Sequence, residues 1–205
     1  MRNCNFYIDS YMKKAPLFFL FLFALAAYGQ QGQSFLDSRD GKKYKTVKIG
    51  NQTWMAENLN YDAKSSKCYD NKPENCTKYG RLYNWETAMK ACPPGWHLPN
   101  ESEYEMLNEA VGGEEVAGKK LKAKSGWNHG GNGTDEYGFS ALPGGDGNLD
   151  GSFYDVGGSG LWWSAREYYD SNVVYYRIIH YRSEGAYWSN GSKSLLRSVR
   201  CLLTF

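Results

Sequence analysis

The sequence predicts an α+β domain in which two helices come first and short strands separated by glycine-rich loops follow. Apolar side chains recur at helical spacing twice between residues 84 and 111, and several later segments alternate as strands do. The chain also contains 23 glycines and 16% aromatic residues, which is typical of short strands joined by long loops. Helices and strands that are segregated along the chain favour the α+β class.

Residues 1–29 have the pattern of a secretory signal peptide. The pair Lys13-Lys14 precedes the apolar run Ala15–Ala27, and the small residues Ala27 and Gly29 fit a signal-peptidase site. An uncleaved membrane anchor is the alternative, but a run of this length is short for a bilayer span. We therefore expect export to the extracellular space or the outer cell surface.

The segment after the signal is expected to hold a flexible tether at residues 30–40 and a single domain at residues 41–205. Removal of the signal peptide would remove three of the 24 basic residues and one of the 22 acidic residues, which leaves 21 of each in the exported chain. A domain without net charge lacks the basic excess of nucleic-acid-binding proteins. We expect no nucleic-acid partner, and no membrane span once the signal is removed.

The exported part holds four cysteines, and an even number in an oxidising compartment predicts disulfides. Three pairings are possible. We favour Cys68–Cys76, which flanks a turn-like segment, together with Cys92–Cys201, which joins the proline-rich segment Cys92–Pro99 to the last strand. A zinc site is the alternative, but no two of these cysteines have C-x-x-C spacing.

Local patterns indicate where the elements begin and end. A hairpin is predicted at Lys43–Ile49 and Gln52–Ala56. Asn84 and Asn100 are candidate N-caps of the two helices, and Glu103 completes a capping box with Asn100. The residues expected to face the core are Trp85, Ala88, Met89 and Cys92 in the first helix, and Tyr104, Leu107 and Val111 in the second.

The second half is predicted to contain short strands. Val173–Tyr181 is the clearest, and its alternation places Tyr175 on the same face as Arg177. The other expected segments are a short strand or turn at Lys119–Lys124 with Leu121 inward, a buried strand near Tyr137–Gly145, a strand ending at Ala165, a return strand at Gly185–Trp188, and a last strand at Ser198–Leu203.

Six short motifs follow one another along the chain. They are G-N-Q-T-W-M-A-E-N-L-N-Y at 50–61, Y-G-R-L-Y-N-W at 79–85, C-P-P-G-W-H-L-P at 92–99, G-F-S-A-L-P-G-G at 138–145, W-W-S at 162–164 and S-V-R-C at 198–201. Together they resemble the Fibrobacter succinogenes major paralogous domain family. The chain departs from that pattern at Leu195-Leu196-Arg197, where the family usually has an aromatic-glycine-aromatic run.

The resemblance implies a fold related to the C-type-lectin-like and formylglycine-generating-enzyme superfold, with two helices, small twisted antiparallel sheets and a long closing disulfide. It also implies export to the surface of a fibre-degrading bacterium. It implies no known reaction, and adhesion to plant polysaccharide is the common suggestion for the family.

We predict no enzymatic activity. His97, His129 and His180 have no triad spacing, and the chain has no G-x-S-x-G motif. Formylglycine-generating chemistry uses a cysteine pair on copper, whereas all four cysteines here are expected in disulfides. The helix that carries Glu101, Glu103, Glu105 and Glu109 has the spacing of a solvated acidic face.

Two candidate sites remain. Asp146, Asn148 and Asp150 match the first half of a calcium loop, but they also suit a plain hairpin turn. No cofactor other than calcium is expected. Aromatic rings in polar, loop-like sequence can stack on sugar rings while amides bond the hydroxyls, and each ring also has a packing alternative. These candidates are Trp127, Asn128, Tyr168, Tyr169, Trp188 and Asn190.

The leading interpretation is therefore an exported, non-catalytic binding domain for plant cell-wall polysaccharide or a cell-surface partner. The second hypothesis is a structural or assembly component of the cell envelope. An enzyme of unknown reaction is the third.

Overall fold

The structure is a computed structural model that describes residues 33–169 and 172–204, so the predicted signal peptide lies outside the described residues. The fold is α+β, as predicted. The helices are α1 (Pro73–Tyr79), α2 (Trp85–Ala91), α3 (Glu101–Val111) and α4 (Glu114–Leu121). The strands are β1 (Gln33–Leu36), β2 (Lys43–Ile49), β3 (Gln52–Met55), β4 (Leu82–Tyr83), β5 (Trp96–His97), β6 (Asp146–Gly147), β7 (Phe153–Tyr154), β8 (Ser159–Glu167), β9 (Val173–His180), β10 (Tyr187–Ser192), β11 (Arg197–Ser198) and β12 (Leu202–Leu203).

Two five-stranded sheets form the body of the fold. One has the order β1-β2-β3-β12-β5, the other has the order β10-β9-β8-β11-β4, and β6 and β7 form a separate hairpin. The strand predicted at Ser198–Leu203 is divided between the sheets, because β11 pairs with β4 and β8 while β12 pairs with β3 and β5. None of the helices in the described part of the chain has the length and apolar character needed to cross a bilayer.

The first hairpin and the two predicted helices are present. β2 and β3 pair around the turn at Gly50, and the Asn84 side chain accepts a hydrogen bond from the Thr87 amide at the start of α2. In α3, Asn100 Oδ1 accepts from the Glu103 amide and Glu103 Oε2 accepts from the Asn100 amide, so both hydrogen bonds of the capping box form. The face predicted for α3 is buried.

Two helices were not expected from the sequence. α1 begins with Pro73, whose missing N–H costs nothing at a first helical position. α4 occupies the region where a strand or turn was predicted at Lys119–Lys124. Its acidic first turn and basic last turn suit the helix dipole, and Leu121 is buried as expected. In α2, Met89 is 43% exposed, so it is not a core residue.

The flexible tether predicted at residues 30–40 is wrong for residues 33–40. β1 pairs with β2, and the ring of Phe35 stacks on Tyr44 and on Trp96. Asp37 is fully buried and forms an ion pair with Arg39. The strand pairing and the ring contacts hold the segment on the domain, and the Asp37–Arg39 ion pair forms within the segment.

Three predicted strands of the second half also differ in detail. The region Tyr137–Gly145 forms two isolated bridges, Ala141 with Lys122 and Gly145 with Gly160, rather than a strand, although Phe139 and Ala141 are buried. β8 extends two residues past Ala165. The return strand β10 begins at Tyr187 and continues to Ser192, because its register follows β9 from Ile178 to Val173.

A buried contact between Asn58 and Arg200 joins most of the motifs. Arg200 Nε and Nη2 donate to Asn58 Oδ1 at 3.1 and 2.7 Å, and Trp162 Nε1 donates to the same oxygen at 2.8 Å. The Asn58 amide in turn donates to the Tyr79 carbonyl at 2.8 Å. Arg200 Nη1 also donates to the Phe139 carbonyl. Five of the six motifs therefore meet around one amide and one guanidinium.

The environment of this contact explains two further features of the motifs. Burial lowers the pKa of Arg200 to about 10, and Arg200 forms no salt bridge with a carboxylate of the described residues. The guanidinium is therefore held by neutral oxygens. Gly80 has φ of +78°, and a Cβ there would lie 2.7 Å from the Asn58 Cβ, so only glycine fits beside the amide.

Both predicted disulfides are present. Cys68–Cys76 spans the turn before α1, and Cys92–Cys201 links residues 109 positions apart. The Cys201 side chain is fully buried, and the carbonyls of Val199 and Cys201 accept from the amides of Leu59 and Met55. The long bridge and these hydrogen bonds therefore hold the last segment, Ser198–Cys201, against the segment Met55–Leu59.

Arg197 is the last residue of Leu195-Leu196-Arg197, the segment at which the sequence departs from the six-motif pattern. Its guanidinium carbon lies 3.6 Å from the centre of the Tyr176 ring and 4.4 Å from that of Trp163. Burial lowers its pKa to about 10, and its Nε and Nη1 have no hydrogen-bond partner among the described residues. The flat guanidinium of Arg197 thus packs against two aromatic rings.

The long disulfide gives a first prediction. Cys201→Ser should lower the free energy of unfolding by about 4.5 kcal/mol, because a closed loop of this length restricts the unfolded chain most. Urea denaturation measures this loss, and Cys76→Ser, which opens only the short loop, should lose about 2.5 kcal/mol. Equal losses would contradict the closing role of Cys92–Cys201.

The Asn58–Arg200 contact gives a second prediction. Asn58→Ala should cost about 3 kcal/mol or more in urea denaturation, because a buried charge loses its principal acceptor. Adding Arg200→Met should recover part of the loss, because it removes that charge. The matched control is Asn60→Ala, which should stay within about 0.5 kcal/mol because Asn60 is bonded through its backbone. A double variant no more stable than Asn58→Ala would refute the buried-charge explanation.

Candidate functional site

Four aromatic rings form a continuous row on the second sheet. We name this row the aromatic strip; its residues are Tyr168, Tyr169, Tyr175 and Trp188. Ring centres are 5.7 Å apart for Tyr168 and Tyr169, 5.2 Å for Tyr168 and Tyr175, and 6.2 Å for Tyr175 and Trp188. These spacings are those of aromatic rings in contact.

The register of the β9–β10 hairpin assembles the strip. Trp188 pairs with Arg177 and Asn190 pairs with Tyr175, so these side chains share one face. Tyr168 follows β8, and its amide donates to the Val173 carbonyl at 3.1 Å, which sets it beside the start of β9. Residues from three consecutive segments therefore meet at one end of the sheet.

The outer rings of the strip are accessible to a ligand. Tyr169 is 95% exposed and Tyr168 37% exposed, while Tyr175 and Trp188 are half-buried. The Arg166 guanidinium carbon lies 4.7 Å from the centre of the Tyr175 ring, and Asn190 is exposed on the neighbouring strand. The strip thus combines flat apolar faces with hydrogen-bond donors and acceptors at its margin.

The inner end of the strip is fixed by buried polar groups. Trp188 Nε1 donates to Glu105, and its ring faces the guanidinium of Arg177 at 4.6 Å. Arg177 is buried, which lowers its pKa, and its Nη2 donates to Asn108 Oδ1 at 3.0 Å. Its Nη1 lies 3.8 Å from Glu105 and 3.7 Å from Glu114. Trp188 is therefore an anchored ring, and the tyrosines extend from it.

The structure brings together four of the six predicted sugar-binding residues: Tyr168, Tyr169, Trp188 and Asn190. Tyr175 and Arg166 complete the group, and sequence reasoning did not select them. The alternation of β9 already placed Tyr175 on the face of Arg177. The sequence alone did not give the register of the β9–β10 hairpin, and it is this register that places Asn190 opposite Tyr175.

Trp127 and Asn128 do not belong to this group. Trp127 is 5% exposed and its Nε1 donates to the Ala141 carbonyl at 3.0 Å, so it is a core residue. Its apolar ring is buried because the following polar loop folds back over it; Asn132 Oδ1 accepts from the Trp127 amide. Asn128 is exposed, but it packs against Gly157 rather than beside the strip.

The candidate calcium residues lie in and beside a tight turn between β6 and β7. Asp150 Oδ1 accepts from the Ser152 amide and hydroxyl at 2.8 and 2.7 Å, and these bonds lower the pKa of Asp150. Asn148 Nδ2 donates to Ser152 Oγ at 3.0 Å. Burial raises the pKa of Asp146. The hydrogen bonds of this turn favour the hairpin interpretation over the calcium one.

The other polar candidates have partners in the fold. His97 bonds Glu103 Oε1 through Nε2 at 2.7 Å and Thr204 Oγ1 through Nδ1 at 2.8 Å, so it links the start of α3 to the last residues described. Glu101 forms an ion pair with Arg166. Both carboxylates in the first turn of α3 therefore have a partner in the fold.

Comparison with known proteins gives one match. The family model described as Fibrobacter succinogenes major domain matches residues 47–202, which contain all six motifs and the aromatic strip. No curated protein and no solved structure matches the chain.

The burial of these rings gives a third prediction. Trp127→Ala should lower the free energy of unfolding by about 3–5 kcal/mol, because it empties a packed site. Tyr169→Ala should change it by less than about 0.5 kcal/mol, because the ring is exposed. Thermal and urea denaturation check both values. A destabilised Tyr169→Ala variant would show that the outer ring is a packing residue.

Proposed function

This chain belongs to the Fibrobacter succinogenes major domain family, and from that premise we propose that it is an exported, non-catalytic domain that binds plant cell-wall polysaccharide. The observation that carries the proposal is the aromatic strip, in which exposed rings continue outward from an anchored tryptophan. The two disulfides support an extracellular site of action.

The chemistry of the strip suits a neutral sugar chain. Aromatic side chains combine an apolar face with a polar tip, so a ring can cover the C–H face of a pyranose while its hydroxyls stay hydrated. Asn190 and Arg166 at the margin can bond those hydroxyls. A row of contacting rings, rather than one ring, suits a ligand with repeating units.

The position of the strip separates ligand binding from folding. All four rings lie outside the six motifs, whose residues instead meet around Asn58 and Arg200. The motifs therefore build the scaffold, and the strip is free to determine what the domain binds. This separation supports a recognition function carried by the second half of the chain.

We further propose that the fold is related to the C-type-lectin-like superfold. The features that support this relation are the long disulfide, the two curled sheets that share the last segment, and the glycine-rich loops between residues 125 and 160. The relation would place the sugar-binding surface on loops and sheet ends, where the strip lies.

Retention on insoluble polysaccharide tests the function. The protein should co-sediment with cellulose, xylan or mannan, and the double variant Tyr168→Ala with Tyr169→Ala should lose most of that retention, because it removes the exposed rings. Retention should change little between low and high salt, because stacking and neutral hydrogen bonds are not screened as ion pairs are.

The matched control is Tyr154→Ala, which removes an exposed tyrosine on the β6–β7 hairpin and should leave retention intact. Melting temperatures of all variants should stay close to that of the parent protein. A folded double variant that is retained as well as the parent would refute polysaccharide binding by the strip, and the cell-envelope assembly hypothesis would then replace it.

A further inference from the structure

A second surface feature lies away from the aromatic strip. A cavity of about 410 Å³ opens beside the turn that follows β9, between that turn, the end of α4 and the loop after Trp127. The polar groups that line it include those of Lys119, Lys122, His129, Asn132, Arg182 and Ser183. Tyr181 is six residues from Tyr175, or roughly 20 Å along an extended strand.

The cavity concentrates positive charge. Lys119, Lys122 and Arg182 line it against a single acidic residue, Glu184, although basic and acidic residues nearly balance over the chain as a whole. No salt bridge to these three cations is found within the described residues. The wall therefore carries cations whose charge no neighbouring carboxylate neutralises at close range.

Lys122 is the central group of this wall. The residue is only 2% exposed, and its ammonium group donates to the Ser183 carbonyl at 2.9 Å and to the His180 carbonyl at 3.5 Å. The ammonium also lies 5.3 Å from the centre of the Trp127 ring. An ammonium has three donors, so one N–H is left beyond the two carbonyls. Burial, and secondarily the charge of Lys119, lower the pKa of Lys122. An anion bound beside it would compensate a desolvated charge.

The walls of the cavity are held in place before any ligand binds. A Cβ at Gly131 would lie 2.3 Å from the Tyr181 carbonyl oxygen, and one at Gly133 would lie 2.2 Å from that of Lys122. The loop therefore sits directly on its neighbours. His129 and Tyr181 are in ring contact at 5.3 Å, and the Arg182 guanidinium faces the Tyr181 ring.

We propose that this cavity binds a small hydroxylated anion, namely a sugar that carries one carboxylate or phosphate group. The three cations supply the charge that recognises the anionic group. The amide, hydroxyl and imidazole groups of Asn132, Ser183 and His129 supply partners for hydroxyls. The volume falls in the range of ligand sites, roughly 300–1,000 Å³, and exceeds what a single inorganic ion requires.

Calorimetric titration of the purified protein with glucuronate, glucose 6-phosphate, glucose and inorganic phosphate tests the proposal. At least one anionic sugar should bind about tenfold or more tightly than glucose and than inorganic phosphate, and the tighter of the two identifies the preferred anionic group. Raising the salt concentration should weaken this binding, because the recognition is electrostatic.

Two variants locate the site. Lys122→Met and, separately, the more exposed Arg182→Gln should each weaken binding by about fivefold or more, which corresponds to roughly 1 kcal/mol. Lys124→Gln is the matched control, because Lys124 is an exposed lysine of the same segment that does not line the cavity. If Lys122→Met fails to fold, Arg182→Gln still decides the question.

The proposal is overturned if neither anionic sugar binds, if folded Arg182→Gln binds as tightly as the parent, or if inorganic phosphate binds as tightly as the sugars, which would leave an ion site without sugar recognition. Tyr168→Ala with Tyr169→Ala should bind the anionic sugar unchanged. Failure of the aromatic strip and failure of the cavity are therefore distinguishable.

Discussion

The buried contact between Asn58 and Arg200 is the interaction on which the rest of the structure depends. One amide satisfies a guanidinium, a tryptophan N–H and a backbone carbonyl from segments far apart in the chain. Because a buried cation needs acceptors on several sides, these segments have to arrive together. Asn58 and Arg200 therefore bring five motifs that are far apart in the sequence into contact.

The parts of the fold that were predictable are those decided locally. The capping box at Asn100 and the turn at Gly50 follow from short-range hydrogen bonding and backbone preference, so the sequence indicates them directly. The helix at Glu114–Leu121 was missed because Gly118 and two adjacent lysines weaken its apolar pattern. Contact with another segment requires the glycine: a Cβ at Gly118 would lie 2.1 Å from the Gly185 carbonyl oxygen.

The candidate site was predictable only in part, for the same reason. Exposed tyrosines in a polar segment are visible in the sequence, and Tyr168 and Tyr169 were found that way. Whether a tryptophan next to glycine and asparagine lies inside or outside depends on which segment covers it. Trp127 and Trp188 have similar polar neighbours, yet one is in the core and the other extends the strip. Only the register and loop packing distinguish them.

The division of the last segment between the two sheets has a kinetic consequence. β11 and β12 complete both sheets, so neither sheet reaches its full strand order until the residues near position 200 are present. Pairings between the ends of a chain raise its contact order and slow its folding. In such a topology the strands made earlier wait for the last ones before either sheet is complete. Topology alone thus delays the completion of both sheets until almost the whole domain has been synthesised.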